Sequence, residues 1–280
     1  MEKLLLVDGH NLLFQMFFGM PSRILNHEGK AIQGTLGFVG ALLKIIRMVN
    51  PTHVAVLFDG QHENARVAVN PDYKANRPDF SDVPEEENPF SQLPDIYRAL
   101  DYMGIPHTET TECETDDWMA GYALTYGKDM EVVISSFDSD FFQLISDRVT
   151  ILRYRGDNSI LCTPAYIQEK FGILPCQYAC FKSLVGDTAD NIVGVSKVGP
   201  KTAAALLAQF GSLEELLTRY EEIEKPAIRA AVASSLDRLK DNYHIICLAN
   251  QYPLPFTLDQ LIKVPRTFTT KEVLGGIGLY

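Results

Sequence analysis

The stretch "KLLLVDG", residues 3–9, sets four large apolar residues in a row and closes on an acid. Three more runs have the same form: "HVAVLFDG" (53–60), "EVVISSFDSD" (131–140) and "VTILRY" (149–154). Continuous rather than alternating hydrophobicity marks strands buried on both faces, as in a parallel sheet. Helical patterns lie between them at 34–49, 91–104 and 116–127. The alternation predicts an α/β fold with a mostly parallel central sheet flanked by helices. Such folds place their sites at the carboxyl ends of the strands.

Past about residue 162 the strand signal fades and short helices take over, so the chain divides into an α/β core over 1–180 and a helical region over 181–280. Within the core, residues of about 71–97 form a separate segment. Its stretch "ANRPDFSDVPEEENPF" (75–90) carries three prolines and a run of acids, and is expected to be a mobile excursion.

The 280 residues are 46% hydrophobic, enough for a sizeable core, and 36 acids against 25 Lys and Arg give a net charge of −11. Read globally, that charge argues against nucleic acid, and its local distribution must decide. Five scattered cysteines, with no CxxC pair and no histidines at ligand spacing, exclude a zinc site and point to a reducing compartment. The apolar start is short, is broken by Asp8 and lacks a cleavage site, so it reads as a first strand rather than a signal peptide. No run reaches the roughly 20 apolar residues of a membrane span. A soluble, cytoplasmic protein is expected.

Three of the four runs end in acids: Asp8, Asp59, and Asp138 with Asp140. If the strands are neighbours these carboxylates converge, and crowded like charges need a cation. Glu114, Asp116 and Asp117 open a helix, where simple capping is the competing explanation. Asp187 and Asp190, three apart in "GDTADN", share one face of a helical turn. Hard oxygen ligands without His or Cys select magnesium or manganese. Two such ions about 4 Å apart can serve a phosphodiester displacement, and they would make an acidic pocket attractive to a polyanion.

The densest basic stretch of the first half is "ARVAVNPDYKANRP" (65–78). Asn70 and Pro71 are suited to open a helix on which Tyr73 and Arg77 share a face beside Lys74, either as an ordinary solvated helix or as a phosphate clamp with a stacking aromatic. In "GVSKVGPKT" (194–202), Gly194 to Gly199 has the span of a nucleotide P-loop. Pro200, which has no N–H, displaces Lys201 and Thr202 from register and excludes that reading. What remains is a glycine-bracketed hairpin before a helix whose first N–H groups suit strand phosphates, and whose carbonyls suit a monovalent cation.

Taken in order, "VDG", "VLFDG", "R-x4-P-x-YKANRP", "E-x-DD", "DSD" and "GDTADNIVGVSKVGPKTA" resemble the bacterial and phage 5′-nuclease (flap endonuclease) family, which includes the N-terminal nuclease domain of bacterial DNA polymerase I. The resemblance covers almost the whole chain. It implies a PIN-like core, a helix-three-turn-helix region, and a nuclease of two Mg2+ (or Mn2+) ions acting on DNA with a 5′ flap, overhang or nick, RNA-primed ends included. It implies that Asp8, Asp59, Glu114 and Asp116 hold the first ion and Asp138, Asp140, Asp187 and Asp190 the second, with Asp116 bridging and Asp117 supporting. Lys74 and Arg77 match the residues at the scissile phosphate, and Tyr73 a stacking residue. Arg66, Gly194, Lys197, Val198, Gly199, Lys201 and Thr202 match the DNA contacts, with a potassium ion at the loop.

The chain departs from the family pattern at "SFDSD" (136–140), where Phe137 and Ser139 replace a glycine and a lysine, at His10, and in its acidic arch. Without a polymerase region it reads as a stand-alone nuclease or an excised fragment, and as a monomer. A 5′-3′ exonuclease or flap endonuclease of replication and repair is the leading expectation. A DNA-junction binder with little catalysis is the second, and an RNA-cleaving relative the third.

Overall fold

The computed structural model describes residues 2–20, 22–62, 65–249 and 251–280. Its first elements are β1 (Lys3–Asp8), α1 (Gly9–Gly19), α2 (Gln33–Val49), β2 (His53–Phe58), α3 (Ala65–Val69), α4 (Leu93–Met103), β3 (His107–Glu109), α5 (Thr115–Tyr126), β4 (Glu131–Ser135), β5 (Val149–Arg153) and β6 (Ile160–Cys162). The six strands form one sheet in the order β3-β2-β1-β4-β5-β6, parallel except for the β5–β6 pair.

Leu4 to Val7 are fully buried because both faces of the sheet are covered. Successive side chains of a strand point to opposite faces. Leu4 and Leu6 therefore join a core with α5 and the later helices, and Leu5 and Val7 a second core with α1, α2 and α4. The four apolar runs all form strands. β3 and β6 carry no such run, as three-residue strands with mostly exposed or half-buried side chains.

α1 continues directly from β1, where the sequence offered only a strand. Asp8 caps it, accepting from the Asn11 N–H at 3.0 Å. The turn needs glycine, since a Cβ on Gly9 would lie 2.3 Å from the Phe58 ring.

Beyond β6 come α6 (Pro164–Phe171), α7 (Tyr178–Val185), the two-residue strands β7 (Gly186–Asp187) and β8 (Ile192–Val193), α8 (Pro200–Phe210), α9 (Leu213–Arg219), α10 (Pro226–Ala233), α11 (Leu236–Ile246) and α12 (Thr270–Gly276). α7 packs on α8 and α11. α12 does not stay with them: it returns to α2 and α4, burying Val273 and Leu274 in the second core.

The helix expected from Asn70 does not form. α3 precedes it, and residues 71–77 make turns in which Lys74 has a φ of 56°, a left-handed conformation that interrupts any helix. The following segment lies against α1 instead of projecting freely. Phe80 and Phe90 pack edge-on to Phe14, with ring centroids 5.5 and 5.3 Å away.

Candidate metal centre

The strand order reverses at β1: β2 and β3 lie to one side, β4 and β5 to the other. A crevice is expected at the carboxyl ends of such strands. Asp8 ends β1, Asp59 follows β2, Asp138 follows β4, and Glu114 and Asp116 open α5.

Asp8 accepts from the Ser136 hydroxyl at 2.8 Å as well as from Asn11. Burial, followed by the charge of Asp59, raises its pKa to about 6. Asp59 accepts the Thr115 N–H at 2.8 Å and lies 3.8 Å from His10 Nδ1. Burial opposes its ionisation, yet His10 and the Thr115 N–H hold it below the ordinary carboxylate range. Asp116 is pushed well above that range by burial and then by Asp138.

A second group forms where the core meets the helical region. Asp140, Asp187 and Asp190 bring carboxylate oxygens within 4.8 Å of one another. Lys182, on α7 and only 5% exposed, donates to both Asp140 and Asp187. Asp140 nevertheless stands near 7, because burial and the charge of Asp138 outweigh the lysine. For Asp187 burial acts upward, and Lys182 reverses the sign and holds it low. Nothing in the motifs singled out Lys182. Its signal is one cation in the otherwise apolar helix "YACFKSLV", four residues before Gly186.

The donor set fits divalent cations of the magnesium type: every candidate ligand is oxygen, the carboxyls are crowded enough to resist ionisation, and an ammonium already sits between two of them. The remaining basic residues face inward more than the motifs imply. Lys74 Nζ and Arg66 each donate to Glu114 at 2.5 Å, and the Tyr73 hydroxyl does so at 3.1 Å. Arg66 also grips both oxygens of Asp117, at 3.0 and 2.7 Å, and donates through Nε to the Ile245 carbonyl at 2.9 Å. Asp117 is thereby Arg66's partner behind Glu114, and Arg66 ties α3 to α5 and α11 with little of it left for a phosphate. Tyr73 offers no stacking face: it is 6% exposed and packs on Ala179, Ile192, Ile245 and Ile246. Arg77, 51% exposed, donates to Asp190 at 3.0 Å, and the Lys74 N–H to the Asp190 carbonyl at 3.1 Å. The basic turn is so stitched to the second acidic group.

In the glycine loop, Lys197 and Lys201 are exposed and have no ion-pair partner among the described residues. Gly199 is the N-cap of α8 without a side-chain cap, so the first N–H groups there face outward beside Thr202. The Val198 side chain is buried in the core, which leaves its backbone as the part a ligand can meet. Gly194 is fixed by backbone approach, since a Cβ would lie 2.3 Å from the Val185 carbonyl carbon.

Convergent carboxylates at a topological switch point, with two lysines and two arginines among them and an outward-facing helix start beyond, are what a metal-dependent phosphoester-cleaving site requires. Comparison with known proteins makes this specific. The 5′-3′ exonuclease N-terminal resolvase-like domain matches residues 3–172, and the 5′-3′ exonuclease C-terminal SAM fold matches residues 173–267. The chain belongs to the 5′-3′ exonuclease family.

It is 35% identical over 253 residues to the thermostable DNA polymerase I of Thermus aquaticus, and 34% identical over 274 residues to DNA polymerase I of Rhizobium leguminosarum. These alignments take in 90% and 95% of this chain but only 29% and 26% of the relatives. The fold is shared with the phage T5 D15 protein crystallised with metal ions, at a TM-score of 0.73 and 23% identity over 88% of this chain and 89% of that one. It is shared also with human GEN1 in complex with Holliday junction DNA, at a TM-score of 0.60 and 16% identity over 91% and 63%. No helix among the described residues is long and apolar enough to cross a membrane.

Proposed function

We propose that this chain is a structure-specific 5′ nuclease that hydrolyses DNA phosphodiesters with two magnesium or manganese ions. Its substrates are 5′ flaps, overhangs and nicks, RNA-primed ends included, met in primer removal, replication and repair. The observation that carries this is the junction of the two acidic groups: strand-end carboxylates from the core, and Asp140 drawn together with Asp187 and Asp190. The similarity to DNA polymerases I supports a setting beside DNA synthesis. The protein acts as a monomer in the cytoplasm.

Asp8, Asp59, Glu114 and Asp116 would hold one ion, and Asp138, Asp140, Asp187 and Asp190 the other, with Asp117 supporting through Arg66. When bound, the ions supply an activated water and neutralise the charge of the scissile phosphate. Lys74 and Arg77 then exchange their carboxylate partners for phosphate oxygens and share the charge that develops there. Lys197, Lys201, Thr202 and the uncapped start of α8 hold the duplex backbone, with a potassium ion at the loop carbonyls.

The test is a 5′-flap duplex incubated with the protein in magnesium, in manganese, and after EDTA. Metal-dependent cleavage near the junction is expected. Retained junction binding without cleavage in either metal would replace the enzyme with a junction-binding protein, a reading that the acidic segment over α1 favours.

A further inference from the structure

At the amino end of β2, about 20 Å from Asp59 by the rise of a six-residue strand, the molecule has a groove of its own. Its floor is Leu43 and Ile46 of α2, Met103 at the end of α4, Ile105 just after it, and Val264 and Phe268 of the segment leading to α12. The volume, about 110 Å3, suits one aliphatic or aromatic side chain, as a cavity of about 150 Å3 suits benzene. The apolar surface continues outward through Val264 and Ile262, which are 40% and 57% exposed.

Three cations line the groove and no acid does, in a chain of net charge −11. Arg266 pairs with Glu272 and lies 4.6 Å over the Phe268 ring, so it builds the wall. Lys263 and Arg47 have no carboxylate partner among the described residues. The backbone N–H groups of Val264, Thr267 and Phe268 are also without a hydrogen-bond partner there. The Lys263 N–H, bonded to the Thr52 carbonyl at 2.8 Å, anchors this open segment to the sheet.

We propose that this groove docks an acidic peptide segment of a partner protein, one bulky apolar side chain filling the pocket and flanking carboxylates meeting Arg47 and Lys263. Open backbone N–H groups are what an extended peptide can use. A nucleic acid would need a track of cations rather than a pocket one side chain deep between Lys263 and Arg47, whose Nε donates to the Leu43 carbonyl at 3.2 Å. Lying at the amino ends of the strands, opposite the carboxylates, the groove lets a partner recruit the protein without obstructing its site.

The probe is a fluorescein-labelled EDDFLDE peptide, with KRRFLKR as its charge-reversed control, titrated by anisotropy. The acidic peptide is expected to bind at least about tenfold more tightly than the basic one, and to lose about tenfold in the Arg47→Ala/Lys263→Ala double variant and in Val264→Ser. A benzoylphenylalanine at the peptide's Phe position should cross-link to residues 43–47 or 263–268, and flap cleavage by the double variant should stay at the wild-type rate. Equal binding of the two peptides, or cross-links elsewhere, would overturn the proposal. So would weakened DNA binding in the double variant, which would make the groove a nucleic-acid contact. Concentration-dependent dimerisation in sedimentation, lost in Val264→Ser, would assign the groove to a second copy and overturn it too.

Discussion

Glu114, of the strand-end group, and Asp140, of the second group, meet their cations differently. Glu114 is matched by Lys74 and Arg66, from α3 and the turn-rich segment after it, where Lys74 sits in a left-handed turn. Asp140 is matched by Lys182, fixed in the buried helix α7. The first cation can turn to a substrate when its short segment moves, whereas the second can leave its acids only by refolding a side chain inside the core. Arg77, half exposed against the buried Asp190, is the loosest cation of the set. The difference points to Lys74 and Arg77 as substrate contacts and to Lys182 as a resident counterion.

The strongest way to break this comparison is Asp140→Ala. It removes a carboxylate shared by Lys182 and the Asp187–Asp190 group, so cleavage should fall by about a thousandfold or more, while junction binding in calcium stays largely intact. Normal cutting by the variant would show that the second group has no catalytic part. Lys182→Met should act on stability. Removing one partner of a buried ion pair costs about 3–5 kcal/mol, seen as a lower urea midpoint without metal. Magnesium should restore more stability to this variant than to the wild type, because no ammonium competes for the carboxylates. An unchanged midpoint and an unchanged response to magnesium would contradict the counterion role.

How these features stood in the sequence follows from how local their causes are. "KLLLVDG" and "HVAVLFDG" were legible because a strand covered on both faces must be apolar throughout, and Asp8 and Asp59 because they close such runs. β3 and β6 lie at the two edges of the sheet and bury too little to leave a pattern. α1 was hidden because its apolar residues continue the run of β1 across Gly9. The inward turn of Arg66 depends on Ile245, 179 residues away, and Lys182 meets an acid 42 residues before it. No spacing rule reaches such pairs, and the same long-range packing buried Tyr73, which local periodicity left free to stack.

Asp8 sharpens the comparison from the other side, since it has hydrogen-bond donors but no cation of its own. With a folded pKa of about 6 against an ordinary 3.8, its ionisation disfavours the folded state. Stability from this group is therefore complete below about pH 4 and is lost as pH rises through 6. The loss is about 3 kcal/mol, from roughly two pKa units at about 1.4 kcal/mol each. Asp8→Asn stays neutral, so in metal-free buffer it should gain on the wild type between pH 4 and 7 in urea unfolding, and magnesium should narrow the gap by stabilising only the wild-type carboxylate. A difference that does not vary with pH would mean that Asp8 ionises as freely as an exposed carboxyl.

Lys201 gives the smallest effect and the cleanest separation of holding from cutting. It stands near the start of α8, exposed, with no ion-pair partner among the described residues and with no side-chain cap on the helix. Its replacement by alanine therefore breaks no ion pair among the described residues, unlike that of Lys74 or Lys182. If it grips a phosphate, Lys201→Ala should weaken duplex binding severalfold and equally across sequences, and reduce the slope of log affinity against log salt by about 1. The cleavage rate at saturating substrate should not change, because the contact is made alike before and during the reaction and so contributes to binding alone. A fall in that saturated rate would instead mean that α8 positions the scissile phosphate, placing catalytic alignment on the same "GVSKVGPKT" loop that holds the duplex.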